Sequence, residues 1–386
     1  MLVASRRTDD PRVTEIVRSR RLEDRVRRFA WRHILRKSAA RYASSRPDVT
    51  RLFFDDRSEL GADLMRQLPP CDIFNLHVIY GFVDFRSFFR AVPRRTPLVW
   101  TLRDPIPFTG GCHYYGPCRR FNDRCGVCPE LGSGNENDLS RAIWQRKRAA
   151  YSSIPEGRLH LVAPSRWLAG EARQSTLLGR FPVSVIPNGL DTEVFSPRDL
   201  MMARAALDIP RDTRVVLFVA ASVRDPRKGF TMLAEALAPL PSDAGIHLVS
   251  VGRDGFSPNI PLPTLSLGYI ENDRILSLAY SAADLYVTPT LDDNLPHTAM
   301  ESLSCGTPVV GFEVGGVPDM VRNGVSGFVV PKGDTVALRQ AILRVLDNPT
   351  LRAELAANAR RIAVEEYGLM TLARRYLELY TSVAAG

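Results

Sequence analysis

The sequence predicts an α/β protein of two doubly wound domains. Three observations carry this. Short apolar runs alternate with segments of helical spacing through the second half, the pattern of a parallel sheet covered on both faces. The first half repeats the pattern less regularly. Between them, Pro, Asn, Gly and Asp cluster over Pro187–Pro197, the composition of a junction. The length of 386 residues suits two sizeable cores.

In the first half, Asp72–His77, Leu98–Leu102, His160–Ala163 and Val183–Ile186 read as strands. Helical stretches are expected at Pro11–Arg46, Glu59–Gln67, Leu139–Ser152 and Ser165–Leu177. In the second half the strands are Val215–Ala221, His247–Gly252, Thr264–Tyr269, Leu285–Thr288, Pro308–Phe312 and Gly327–Val330. Between and after them, helices are expected at Phe230–Leu240, Ile275–Ala283, His297–Cys305, Val317–Arg322, Val336–Asp347 and Leu351–Tyr367. A last helix from Leu369 to about Val383 could cap either domain. The expected division is residues 1–187 and 188–368, with 369–386 packing back on the first. Two such domains facing each other would take a ligand beyond the carboxyl ends of their strands.

Hydrophobic residues make up 45% and charged residues 24%, which excludes a disordered chain, a fibre or a disulfide-held miniprotein. No apolar run approaches the roughly 20 residues of a membrane-spanning helix, and MLVASRRTDD holds no signal-peptide core, so a cytoplasmic setting is expected. The net charge of +9 is divided unevenly. Residues 1–187 hold 33 Lys and Arg against 19 Asp and Glu, and the remainder 18 against 23. A basic half suits an anionic partner, but charge alone does not choose among nucleic acid, membrane and anionic substrate.

The densest chemistry lies in TPTLDDNLPHTAMESLSCGTPVVGFEVGG, from Thr288 to Gly316. A strand ends, a loop with two acids follows, and a helix starts near Pro296. Unpaired N–H groups at that helix start suit a phosphate. Asp293 and Glu301, eight positions apart, are placed to meet sugar or ribose hydroxyls; the plainer alternative is a solvated acidic loop.

This stretch resembles the donor-binding motif of the large retaining glycosyltransferase family 4, which has the GT-B fold. The family pattern is an acid, seven residues, Glu, a small-residue turn with Gly, then Pro-Val-Val. Here these are Asp293, Glu301, Ser304-Cys305-Gly306 and Pro308-Val309-Val310. The usual first acid is Glu, so Asp293 is one methylene shorter. SVIPNGLDTEVFSP, VAASVRDPRKGFTMLAEAL, LVSVGRDG, LGYI and GGVPDMVRNGVSGFVV match further family segments in order, from Ser184 to Val330.

The resemblance implies a nucleotide diphosphate sugar donor, UDP- or GDP-linked. Glu301 would bind the ribose and Asp293 the transferred sugar. Asn294, Leu295 and Pro296 would lie beside that sugar and the diphosphate. Gly252 would sit near the nucleotide, and Tyr269 and Ile270 would hold the base through backbone contacts. Lys228 and an arginine, Arg224 in preference to Arg227, would face the leaving diphosphate, where fixed cations lower the barrier as charge develops. No metal-binding DxD pattern is present, so Mg²⁺ is not expected to be essential.

The first half resembles a narrower branch acting in bacterial exopolysaccharide assembly, through VWTLRDPIPFTGGCHYYGPCRRFNDRCGVCPEL and HLVAPSRWLA. Asp104 is kept there, but Arg103 stands where that branch has His; His113 is retained nearby. A glycan or lipid-linked glycan acceptor is implied. MLV resembles the family's second strand, so either the true start lies upstream or the domain lacks its first strand, Gly-rich loop and helix; the second reading and Arg103 leave open a non-catalytic protein of the same fold.

Cys112, Cys118, Cys125 and Cys128 are spaced C-x5-C-x6-C-x2-C. A structural Zn²⁺, free or redox thiols, and disulfides all fit this spacing. Arg12–Arg46 carries twelve Lys and Arg against three acids with apolar residues interspersed, which reads either as a surface for anionic lipid or as solvated helices packed on the sheet. Phe82, Phe85, Phe88 and Phe89 could flank a lipid-linked acceptor or fill the core. No recognition motif for nucleic acid is present, so no specific nucleic-acid partner is expected.

Overall fold

The computed structural model describes residues 2–3, 8–17, 22–47, 52–255 and 259–385. The chain forms two compact α/β units. The first comprises residues up to Pro164, Leu168–Val185 and the end of the chain from Glu378; the second comprises Ser165–Trp167 and Ile186–Leu377.

In the first unit, β1 (Leu2–Val3) pairs in parallel with β2 (Thr14–Glu15), followed by α1 (Leu22–Ala40). The main sheet is β3 (Phe74–Leu76), β4 (Leu98–Thr101), β5 (Leu159–Ala163) and β6 (Val183–Val185), all parallel and in sequential order. Its crossovers carry α2 (Phe85–Ala91), α3 (Leu139–Tyr151) and α4 (Arg166–Gln174). Phe85 and Phe89 stack edge-on with Trp100 and Tyr151, so these aromatics fill the core; Phe88 is buried with them.

Two readings of this half need correction. Pro11–Arg46 is not one helical stretch, because Thr14–Glu15 is extended and the helix begins at Leu22. A β-branched pair, Val13–Thr14, just after Pro11 favours the strand there. Glu59–Gln67 is a single 3-10 stretch from Ala62 to Gln67, entered at Gly61. The small β1–β2 sheet is not joined to the main sheet among the described residues. A cavity of about 840 Å³ lies beside β3, lined by Phe74 and Leu76 of that strand and by Val3 and Thr14 of the small sheet.

The second unit has α5 (Leu200–Ala206), β7 (Arg214–Ser222), α6 (Phe230–Leu237), β8 (Ile246–Arg253), β9 (Thr264–Ser266), α7 (Asp273–Ser281), β10 (Leu285–Thr288), α8 (His297–Ser304), β11 (Val309–Phe312), α9 (Val317–Met320) and β12 (Gly327–Val330). After these come α10 (Thr335–Leu346), α11 (Pro349–Tyr367) and α12 (Leu369–Ala385), whose last residues count with the first unit. The sheet is fully parallel, in the order β12-β11-β10-β7-β8-β9. Every residue from Val215 to Ala220 is buried, as a central strand with helices on both faces requires. Each such buried Val or Leu stabilises the core by about 1.5–3 kcal/mol.

That strand order places the site. Successive strands run outward from β7 to β9, then the chain crosses back to β10 and runs outward the other way. Connections leaving β7 and β10 therefore diverge to opposite faces and open a crevice at their carboxyl ends, the switch point where doubly wound sheets take ligands.

Candidate active site in the second unit

The loop leaving β7 and the loop leaving β10 are stitched together at the switch point. Leu291 N donates to Arg227 O at 2.8 Å, and Thr290 Oγ1 donates to the same carbonyl at 3.1 Å. Asp225 caps a short 3-10 turn, Pro226–Lys228, by accepting from Arg227 N. This turn aims Lys228 at the second loop, where its Nζ donates to Asp293 Oδ2 at 2.7 Å. Arg227 Nη1 lies 3.6 Å from the same oxygen and donates to Asp292 O at 3.1 Å, while Nη2 donates to Asp225 Oδ2 at 3.0 Å.

The two arginines thus divide. Arg227 is held by Asp225, Asp292 and Asp293. Arg224 is exposed on the same loop and, among the described residues, makes no hydrogen bond or ion pair. The structure brings Lys228, Arg227 and Asp293 together and leaves Arg224 open to solvent.

Asp293 and Asn294 are buried, which a loop achieves only where something packs over it. Gly315 and Gly316 do so. A Cβ on Gly315, whose φ is +50°, would stand 1.6 Å from Asp293 O, and one on Gly316 would stand 2.1 Å from Asn294 O. The Gly-Gly pair is therefore what lets the acid loop lie flat beneath α9, a role the sequence reading had not given it. Leu295 is buried in the core, and Pro296 begins α8 without any side-chain cap. In its first turn Ala299 N and Met300 N donate back to Pro296 O, at 3.2 and 3.4 Å.

Glu301 lies on α8, one turn in. Its Oε2 accepts from Tyr280 Oη at 2.8 Å. Burial pushes its carboxyl up to about 7, against the lowering effect of the Tyr280 hydroxyl. Gly252 sits where β8 passes β7, and a Cβ there would stand 2.3 Å from Ala220 O. Tyr269 is 50% exposed just beyond β9, and Ile270 packs on the core.

Asp104 belongs to the first unit, three residues past β4. It is buried and accepts from Ile106 N at 2.8 Å and from the Tyr80 hydroxyl. His113 Nε2 lies 3.4 Å from Asp104 Oδ2, with its ring against Tyr114. This Asp–His pair was not read from the sequence. A 3-10 turn at Ile106–Phe108 folds the chain back between the two residues, and no periodicity announces that. Lys147 holds the same turn from beneath: fully buried, it donates to the carbonyls of Ile106 and Thr109.

Cys118, Cys125 and Cys128 lie near enough to Cys112 to raise its thiol beyond what burial alone does. Among the described residues no three His, Cys, Asp or Glu side chains converge as metal ligands, and all six cysteines are free thiols, so disulfides are absent too. Burial pushes Cys125 up to about 12 and Cys128 to about 11. The start of α3 does the bracing instead: Asp138 accepts from Cys128 N at 2.8 Å and Ser140 Oγ accepts from Gly126 N at 3.0 Å.

The fold and the site define a class before any comparison: two Rossmann-like units, with a cation–carboxylate cluster at the switch point of the second. Residues 213–348 match the family described as Glycosyl transferases group 1. D-inositol 3-phosphate glycosyltransferase of Thermobispora bispora is 31% identical over 230 residues, covering 55% of this chain and 54% of that protein. The chain spans about half the length of the curated relatives it matches. Among solved structures, sucrose-phosphate synthase of Thermosynechococcus elongatus superposes with a TM-score of 0.62 at 21% identity, covering 84% of this chain and 76% of that one. Anabaena HepE in complex with UDP gives 0.61 at 19%, covering 83% and 81%. These likenesses show the GT-B fold. No described helix is long and apolar enough to cross a membrane.

Proposed function

We propose that the protein is a retaining glycosyltransferase that moves a sugar from a nucleotide diphosphate to an acceptor hydroxyl. The observation that carries this is the Lys228–Asp293 pair at the switch point, three residues ahead of an uncapped helix start. UDP is the favoured nucleotide, since a neighbour of like fold binds it, with GDP the alternative. The diphosphate lies against the first turn of α8 and Lys228, joined by Arg224, whose guanidinium is uncommitted. Glu301 accepts from the ribose hydroxyls. Asp293, released from Lys228 by the incoming phosphates, accepts from the transferred sugar. The backbone at Tyr269–Ile270 meets the base.

In the reaction the bond from the anomeric carbon to the phosphate oxygen breaks. The cations stabilise the charge left on the diphosphate. The acceptor oxygen bonds from the same face and passes its proton to the departing phosphate, which keeps the anomeric configuration. Within the first unit, Asp104 with His113 and Tyr80 forms a polar cluster suited to a sugar hydroxyl. A lipid-linked glycan in bacterial surface-polysaccharide synthesis is the acceptor we favour. α1 supports a membrane setting: Leu22, Val26 and Phe29, on one helical face, are 73%, 59% and 75% exposed amid basic residues. The relative named for D-inositol 3-phosphate favours a second acceptor class, a phosphorylated polyol. A nucleotide-sugar-binding subunit without turnover is the alternative function, and Arg103 favours it.

Thermal-shift screening against UDP-glucose, GDP-mannose and ADP-glucose tests the donor reading. At least one should stabilise the wild type, with the shift lost in Glu301→Ala. Wild-type protein stabilised by no nucleotide sugar would sink it.

A further inference from the structure

Arg253, the last residue of β8, is exposed, and its guanidinium carbon stands 4.3 Å from the centroid of the Tyr269 ring. A guanidinium laid on an aromatic face holds its N–H fork in one plane. Its backbone is tied to both neighbouring strand ends. Val223 N donates to Arg253 O at 3.1 Å, and Gly252 N donates to Gly268 O at 2.8 Å, one residue before Tyr269. The ends of β7, β8 and β9 therefore form one edge running from the loop of Lys228 to Tyr269. With strands about 4.8 Å apart, the Arg253–Tyr269 stack lies about 10 Å from the switch point, two strand spacings along this edge. That is the order of separation between the phosphates and the base across a ribose. The neighbouring Asp254 is turned to Ser222 Oγ at 2.8 Å, and among the described residues no carboxylate pairs with Arg253.

We propose that Arg253, braced on Tyr269, reads the base of the bound nucleotide and selects bases that present a carbonyl oxygen, uracil or guanine, over adenine. This rests on the reading that the second unit binds a nucleotide diphosphate. A guanidinium only donates, so it pairs with a carbonyl oxygen and leaves the adenine amino group unmet. One such missed partner is worth about tenfold in affinity.

Calorimetric titration of the full chain with UDP, GDP and ADP tests this, using Arg253→Met, which keeps an apolar stem over Tyr269, and Arg253→Lys. The wild type should bind UDP or GDP at least about tenfold tighter than ADP. Arg253→Met should bring the ratio to within about twofold by losing UDP or GDP affinity while ADP affinity stays; Arg253→Lys should keep part of the preference. An equal loss for all three nucleotides, an unchanged ratio, or a wild type without preference would each overturn the proposal while leaving nucleotide binding intact. Wild-type protein that binds none of the three would overturn both this and the donor reading.

Discussion

Glu301 sets the pH response of the donor site. Burial raises its carboxyl to about 7, so at neutral pH about half of the molecules carry it protonated. Ribose hydroxyls donate best to the ionised form. Binding of UDP-glucose, whose phosphates do not titrate near neutrality, should therefore tighten as pH rises from about 6 to 8, by up to about tenfold per pH unit below 7. Titrations of wild type and Glu301→Gln should show that slope only in the wild type; a pH-independent wild type would contradict it. For the unliganded fold the sign is opposite. The group ionises near 4.5 when unfolded and near 7 when folded, so its contribution to stability falls as pH rises across that window. At this scale the sequence was legible where chemistry is local: Lys228, Asp293 and Glu301 sit on short loops or one helix turn beside a strand end. It was not legible where a loop's path decides. Asp225 commits Arg227 rather than Arg224, and His113 reaches Asp104 only because the chain turns back on itself.

Among the elements, α3 governs the loop that carries Asp104 and His113. Its Lys147 donates to the carbonyls of Ile106, which also accepts from Thr109 N, and of Thr109, the second at 3.0 Å. Lys147→Met keeps the volume and removes the donor, leaving the Thr109 carbonyl short of that partner at a cost of about 1–3 kcal/mol. Amide exchange over residues 104–113 should quicken in this variant, while its affinity for UDP, which concerns the second unit, stays within about twofold of wild type. Unchanged protection of that loop would contradict the role. Elements with strong periodicity were legible to within a few residues, Leu285–Thr288 and Gly327–Val330 at both ends. α2 and α5 were not, each being a seven-residue helix too short for a period to declare itself. What starts them is a single side-chain cap, Asp84 and Asp199.

At the scale of the whole molecule, the division of charge nearly follows the division of fold: residues 1–187, with 33 Lys and Arg against 19 acids, make most of the four-stranded unit, and residues 188–386, with 18 against 23, most of the six-stranded one. The alternation of strands and helices made the doubly wound class readable. The strand order did not follow from it, and it is the order that gives the second sheet its switch point, while among the described residues the four-stranded sheet runs in sequential order. On the function proposed above, this switch point activates a nucleotide diphosphate sugar. The most direct test is the rate of nucleotide diphosphate release from UDP-glucose and GDP-mannose by wild type and Lys228→Ala. Release from at least one donor is expected, with a fall of about 10²–10³-fold on losing the Lys228 ammonium; release by Lys228→Ala at the wild-type rate, or none by the wild type, would contradict this role.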